Sequence, residues 1–226
     1  MPSKHPSHFF LGLDLGHQQD HSALIALESS TIVYDHRDPV SFEFITEKIL
    51  SLRHIHRFPL RTPYTAVSEH VRDLIRQPTF HGQSSLIVDA GGPGLPVYDL
   101  LKTFHLPASL FPVMITAGDR VTKQHPFWRI PRRILLSNLH TLIYTRALTI
   151  AGEIRHARTL LKELSSLRLH LAPTGYESFE PARSSQHDDL VIATALAAYF
   201  ATHVKSHLRR TGPLPGFHPD PLGLLA

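Results

Sequence analysis

A chain of 226 residues is long enough for one well-buried domain. Hydrophobic residues make up 42% and charged residues 19%, the balance of an ordinary globular protein; no apolar run approaches the roughly 20 residues of a membrane span, residues 1–8 are too short and polar for a signal peptide, and the absence of cysteine excludes disulfides, thiolate nucleophiles and cysteine-type zinc sites. Lys and Arg exceed Asp and Glu by 23 to 19, with 18 histidines besides, an excess that suits a polyanionic partner without requiring one. A cytoplasmic location and no membrane association are the expectations.

Residues 1–8 are read as a flexible N-terminus. The run Phe9-Phe10-Leu11-Gly12-Leu13-Asp14 then has the form of a buried strand ending in a carboxylate, and a second strand follows at hairpin distance over 23–27. Further strand segments are expected at 31–35, around 42–45, and over 49–58, where apolar residues nearly alternate as on a strand with one wetter face. Val67, Val71, Leu74 and Ile75 recur at helical spacing within 64–75. Ser85-Leu86-Ile87-Val88-Asp89 is a second apolar strand ending in an acid; Gly91-Gly92-Pro93-Gly94 turns the chain, and 95–104 reads as a helix.

A strand over 111–116 precedes a loop-like segment, 119–133, that holds Arg120, Lys123, Arg129, Arg132 and Arg133 with Phe127 and Trp128 interleaved. Pro131 opens a helix expected over 132–148, a second helix is expected over 153–167, and the chain around Pro173-Thr174-Gly175 reads as a small hairpin. Ser184-Ser185-Gln186-His187-Asp188-Asp189 begins a strongly apolar helix running to about 203, with Ser185 as a cap and the acids in its first turn. Residues 205–226, basic and then rich in proline and glycine, are read as a disordered tail that contacts nucleic acid or a partner.

An ionised carboxylate at the end of a buried strand requires partners, because desolvating it alone costs several kcal/mol or more. In a sheet with antiparallel strands first and parallel strands after, Asp14 and Asp89 can lie on neighbouring strands while Asp188 and Asp189 open a helix packed across them. Oxygen-only clusters of this kind suit magnesium or manganese, and two such ions about 3.5 to 4 Å apart serve phosphodiester hydrolysis. Each acid also has a plainer reading. Asp14 can cap nearby amides, Asp89 can accept an Asx-type turn bond before the glycines, and Asp188 or Asp189 can be an ordinary first-turn acid.

Leu11-Gly12-Leu13-Asp14, Leu86-Ile87-Val88-Asp89-Ala90-Gly91-Gly92-Pro93-Gly94 and His187-Asp188-Asp189-Leu190-Val191 resemble the three motifs of the nuclease domain of phage terminase large subunits. Thr116-Ala117-Gly118-Asp119 and the segment 121–136 are similar to the terminase connection, so the resemblance covers about residues 9–201. It implies a ribonuclease H-like α/β fold over 9–204, a mixed sheet flanked by helices. It also implies a metal-dependent endonuclease that cuts concatemeric phage DNA during packaging in a bacterial host cell. Asp14, Asp89 and Asp189 are the implied catalytic metal ligands, Asp188 assists, His187 is an auxiliary residue, and Mg2+ or Mn2+ is the implied cofactor in a two-metal site. Arg120, Lys123, Arg129, Arg132 and Arg133 are the expected contacts to double-stranded DNA.

The chain departs from a complete large terminase in lacking a Gly-x-x-x-x-Gly-Lys-Ser/Thr loop. It is therefore expected to be a stand-alone nuclease domain, one half of a split terminase with a separate terminase ATPase, small terminase subunit or portal protein as partners, or a decayed or repurposed prophage relative. Two rival readings stand beside this one. Gly12-Leu13-Asp14-Leu15-Gly16 and Asp89-Ala90-Gly91-Gly92 also resemble the phosphate loops of actin-like ATPases and sugar kinases, whose two-lobed architecture needs a longer chain. A non-catalytic DNA-binding or assembly module on the same scaffold is the third.

Overall fold

The structure, a computed structural model, describes residues 3–4, 8–16, 20–171, 177–181 and 188–204. In chain order the elements are β1 (Ser3–Lys4), β2 (His8–Asp14), β3 (Ala23–Arg37), β4 (Phe44–Arg57), α1 (Tyr64–Ile75), β5 (Ser84–Asp89), α2 (Gly94–Thr103), β6 (Ser109–Thr116), β7 (Thr122–Gln124), β8 (Phe127–Pro131), α3 (Arg132–Tyr144), β9 (Leu148–Thr149), α4 (Ala157–Ser166), β10 (Leu167–Leu171), β11 (Glu177–Pro181) and α5 (Asp189–His203). Among the described residues one mixed sheet runs β7-β8-β6-β5-β2-β3-β4-β9, with β1 added along β3, and β10 and β11 form a separate hairpin. The strands β2, β3 and β4 are antiparallel, and β5, β6 and β8 then add in parallel on the other side of β2. This is the α/β architecture expected, with helices on both faces.

The run Phe9 to Leu13 is apolar throughout because both faces of β2 are covered. Phe9, Leu11 and Leu13 pack with Val67, Val71 and Leu101 beneath α1 and α2, while Phe10 joins Ile87, Ala193 and Phe200 on the opposite face. Every residue of α5 from Asp189 to Ala201 is buried, which is why this helix is apolar all round rather than striped. Leu135, Leu136 and Leu139 of α3 and Leu160 of α4 close over it.

Several boundaries differ from the sequence reading. Where separate pieces were expected at 31–35, 42–45 and 49–58, β3 and β4 are continuous strands of 15 and 14 residues, and their outer halves form an exposed arm. The arm buries few apolar residues, so the periodicity that marks a strand is weak there; backbone pairing extends it, helped by Tyr34 donating to Glu47 and by Arg37 over the Phe44 ring. Its turn is closed by Asp38, whose Oδ1 accepts the amides of Val40 and Ser41 at 2.9 and 2.8 Å. The segment 119–133, expected as a loop, holds the β7–β8 hairpin, and β8 joins the sheet edge beside β6. The helices expected over 132–148 and 153–167 are shorter, ending at Tyr144 and beginning at Ala157. Of residues 1–8, Ser3–Lys4 pair with β3 and His8 opens β2. The tail 205–226 and the capping residue Ser185 lie outside the described residues.

Gly12 sets the distance between sheet and core helix. A Cβ there would lie 1.9 Å from the backbone oxygen of Ala193 and 3.1 Å from the Ala197 nitrogen, so α5 lies directly on the β2 backbone. Backbone cannot swing aside as a side-chain tip can. We expect Gly12→Val to lower the unfolding free energy by about 3 kcal/mol or more, by the overpacking it forces. Gly152→Ala, whose Cβ would meet nothing within 4 Å, should change it by less than about 0.5 kcal/mol. Urea denaturation of the two variants tests the contrast.

Candidate functional site

A single row of residues crosses the sheet where β2 and β5 end. Arg57 is opposite Ala23 and Ala23 opposite Asp14; the Leu13–Val88 pairing then sets Asp14 beside Asp89, which pairs with Val113, itself paired with Trp128. Paired residues point to the same face of a sheet. Ala23 and Val113 lie in the core beneath α5, so Asp14, Asp89 and Arg57 rise on that face too. There α5 begins, with Asp188 at its N-cap and Asp189 in its first turn.

The three segments thus bring four carboxylates to one edge. Burial raises the Asp14 carboxyl well above the ordinary carboxylate range, and the charges of Asp89, Asp189 and Asp188 push it further; Arg132 opposes them. Asp89 is also raised by burial, against the Gly91 amide and Arg132. That amide donates to Asp89 Oδ1 at 2.9 Å, so the Asx-type turn anticipated for Asp89 is present and fixes the carboxyl. Gly94 is required by the same turn, since a Cβ there would lie 1.7 Å from the Asp89 carbonyl oxygen.

Asp188 and Asp189 are held differently. Asp189 is 5% exposed and accepts both arms of a guanidinium, Arg57 Nε to Oδ2 at 2.9 Å and Arg57 Nη2 to Oδ1 at 2.8 Å. The Asp188 side chain is 26% exposed and its Oδ2 accepts from Arg132 Nη2. Glu163, from α4, completes the arrangement. Its Oε2 accepts the amides of Leu190 and Val191 at 3.2 and 3.3 Å, satisfying two donors that the first turn of α5 would otherwise leave open, and its Oε1 lies 3.6 Å from Arg57 Nη2. Burial, with Asp189 and Asp188 adding to it, pushes the Glu163 carboxyl up to about 8.

Oxygen donors alone, with net negative charge, fit a hard divalent cation. Among the described residues no three of these carboxylates bring oxygens within 4.8 Å of one another, as three imidazoles elsewhere do with their nitrogens. Arg57 and Arg132 draw Asp189 and Asp188 aside. A two-ion site does not need a single-ion bite, because its ligands are shared over two centres about 3.5 to 4 Å apart.

The basic residues separate into groups. Arg132 belongs to the acid edge, and Arg133 pairs with Asp119 at 3.1 Å. Lys123 Nζ lies over the Trp128 ring at 4.7 Å, and Trp128 packs edge-on against Phe200, so the tryptophan anchors the hairpin. Arg120 and Arg129 are exposed. Arg129 alternates with Trp128 and Ile130, which face α5, and so is presented on the other face of the sheet. His187 lies outside the described residues.

Sequence reasoning missed Arg57 and Glu163. Glu163 had a signal: it continues the buried stripe of Ala157 and Leu160, and a glutamate in such a stripe needs a partner. Arg57 had none, since a basic residue ending a strand is ordinary.

No protein-family model matches the sequence, and no curated protein is significantly similar to it. Solved structures are similar. The large terminase nuclease of the thermophilic phage G20c with bound magnesium matches with a TM-score of 0.54 and 18% identity, over 85% of this chain and 80% of that one; with bound cobalt it matches at 0.53, with the same identity and coverage. The large terminase nuclease domain of Thermus phage P74-26 matches at 0.52 and 18% identity, over 86% of this chain and 80% of that one. This chain has the fold of phage large terminase nuclease domains.

The Glu163 carboxyl gives a pH signature. Between about 4.5 and about 8 the folded chain keeps a proton that the unfolded chain has released. The contribution is therefore complete at low pH and is lost as pH rises through that window. In EDTA, Glu163→Gln should gain stability relative to the unchanged chain as pH rises from 4.5 to 8, with the difference level beyond. Denaturant melts across that range provide the measurement; a difference that does not vary with pH contradicts it.

Proposed function

We propose that this chain is a divalent-metal-dependent DNA endonuclease of the terminase type, with Asp14, Asp89 and Asp189 as its ion-holding acids and Asp188 assisting. The observation that carries the reading is Asp14: a part-buried carboxyl pushed upward by desolvation and then by three other acids, with no basic side chain paired to it among the described residues. Structure alone does not reward such a group, since an unpaired buried charge is costly. A bound cation rewards it. The G20c nuclease, similar in fold, has been solved with magnesium and with cobalt, which supports divalent-ion use; for this chain we favour Mg2+ or Mn2+.

Bound at this edge, such ions would supply an activated water and neutralise charge on the leaving oxygen. The chain's own residues do the rest. Arg57 and Glu163 hold the first turn of α5 in register with the sheet, which keeps Asp189 at the same edge as Asp14 and Asp89. Arg132, which offsets the charge of both Asp14 and Asp89, is the residue we assign to the scissile phosphate. Arg120, Lys123, Arg129 and Arg133 supply sequence-independent contacts to the duplex. A separate terminase ATPase, a small terminase subunit and a portal protein are the partners this activity would need for packaging.

Nicking of supercoiled plasmid in Mg2+ or Mn2+ should fall by about two orders of magnitude or more in Asp14→Asn and in Asp89→Asn, as expected for loss of a main electrostatic element, while DNA binding survives. Unchanged nicking in both variants overturns the assignment. Nucleotide binding by a chain that cuts nothing would favour the actin-like phosphate-binding alternative.

The duplex contacts have their own measurement. Reversing charge at Arg120 and Arg129 together should weaken DNA binding and flatten the slope of log affinity against log salt by nearly two, at about 0.9 per phosphate contact. An unaltered slope moves the binding surface elsewhere.

A further inference from the structure

On the face of the sheet opposite the acids, three histidines converge. His54 and His56 are alternate residues of β4, opposite Ala26 and Leu24, which belong to the core beneath α1 and α2. His70 comes down on them from α1. Ring centroids of His56 and His70 are 4.1 Å apart, those of His54 and His56 are 6.3 Å apart, and one ring nitrogen from each of the three lies within 4.8 Å of the others. Phe58 closes the side of the cluster, 4.4 Å from His56 and 5.3 Å from His70.

Packing does not account for the polar atoms. The Nε2 atoms of His54 and His70 are buried with no hydrogen-bond partner among the described residues, although nearly all buried polar atoms in folded proteins have one. Burial also lowers all three imidazoles, His56 to about 4, so each is neutral with a lone pair available at physiological pH. The charge of Asp73 opposes that shift at His70. Neutral imidazole is the ligand form.

We propose that His54, His56 and His70 form a binding site for a zinc-type transition ion, which joins α1 to β4 and leaves its fourth position to water. Three nitrogen donors without a carboxylate select a borderline ion over magnesium, manganese or calcium, which take oxygen. Zn–N bonds of about 2.0–2.1 Å would bring tetrahedral donors to about 3.4 Å of one another, closer than the 4.8 Å within which these nitrogens already lie. The site is on the opposite face from the acid edge and stands whether or not that edge cuts DNA.

The test is a titration of the full chain, stripped with EDTA and exchanged, with ZnCl2 in excess Mg2+ so that the acid edge is occupied. Calorimetry should show one zinc per chain in the unchanged protein and in Asp14→Asn. Affinity should fall on the order of tenfold or more in His56→Gln and in His70→Gln, with folding of each variant verified by circular dichroism in EDTA. Zinc should raise the melting temperature of the unchanged chain and of Asp14→Asn and leave that of the His variants unmoved. Co2+ should give the visible absorption of a tetrahedral nitrogen site, absent in both His variants. Zinc affinity that is equal in the folded His variants, or lost in Asp14→Asn, overturns the proposal. If one His variant fails to fold, the other decides; if both fail, the Co2+ spectrum of the unchanged chain decides, and its absence overturns the site.

Discussion

The contact that the rest of this molecule depends on is the seating of α5 on the bare backbone of β2. At Gly12 there is no room for even a methyl group before the Ala193 carbonyl. Gly12 lies two residues before Asp14, and Ala193 lies one turn after Asp189. Closing backbone on backbone at this point therefore fixes the helix's height and register at the edge where the acids stand. Ala197, one turn further on, shares the same close approach, its nitrogen 3.1 Å from where a Gly12 Cβ would lie. Small residues on α5 thus serve position, since a bulkier helix would stand off the sheet and carry its acids with it.

That seating has an electrostatic cost, and the molecule offsets it unevenly. Asp189 is held by both arms of Arg57, Asp188 by Arg132. Glu163 accepts the opening amides of α5, which favours negative charge at the helix start, yet its own carboxyl is pushed up by burial and then by the charge of Asp189. The guanidiniums come from β4 and α3, outside the acid motifs. Asp14 is left as the group whose neighbours are acids. Asp89 and Glu163 are raised as well, so the acidity that the guanidiniums do not offset is spread over three carboxyls at this edge.

Much of this was legible in the sequence, for identifiable reasons. Asp14 and Asp89 end apolar runs bounded by glycine, and the strands beneath them follow from that pattern; the Leu13–Val88 register then makes them neighbours. The apolar run after Asp189 announced a buried helix. What was not legible depends on long-range contact. Arg57 is informative only once Ala23 is known to lie between it and Asp14. The basic segment 119–133 read as a loop because short edge strands carry little apolar periodicity. At 49–58 the alternation correctly marked a strand, but the face read as wetter is covered by α1, where His54 and His56 meet His70. Periodicity tells which residues share a face and says nothing about what covers it.

The two faces of the sheet consequently present two different donor chemistries within a few residues of each other on the chain. His56 and Arg57 are consecutive, and the strand's alternation sends one toward α1 and the other toward α5. On the α5 side, carboxylate oxygens gather with net negative charge, an environment suited to small hard cations that keep water. On the α1 side, burial lowers the imidazoles, with the charge of Arg155 also felt at His56, an environment that favours ions that accept nitrogen. The buried β-sheet separates these sets sterically, so neither can borrow ligands from the other. For any ion offered to both, the faces would differ in donor type as well as in net charge.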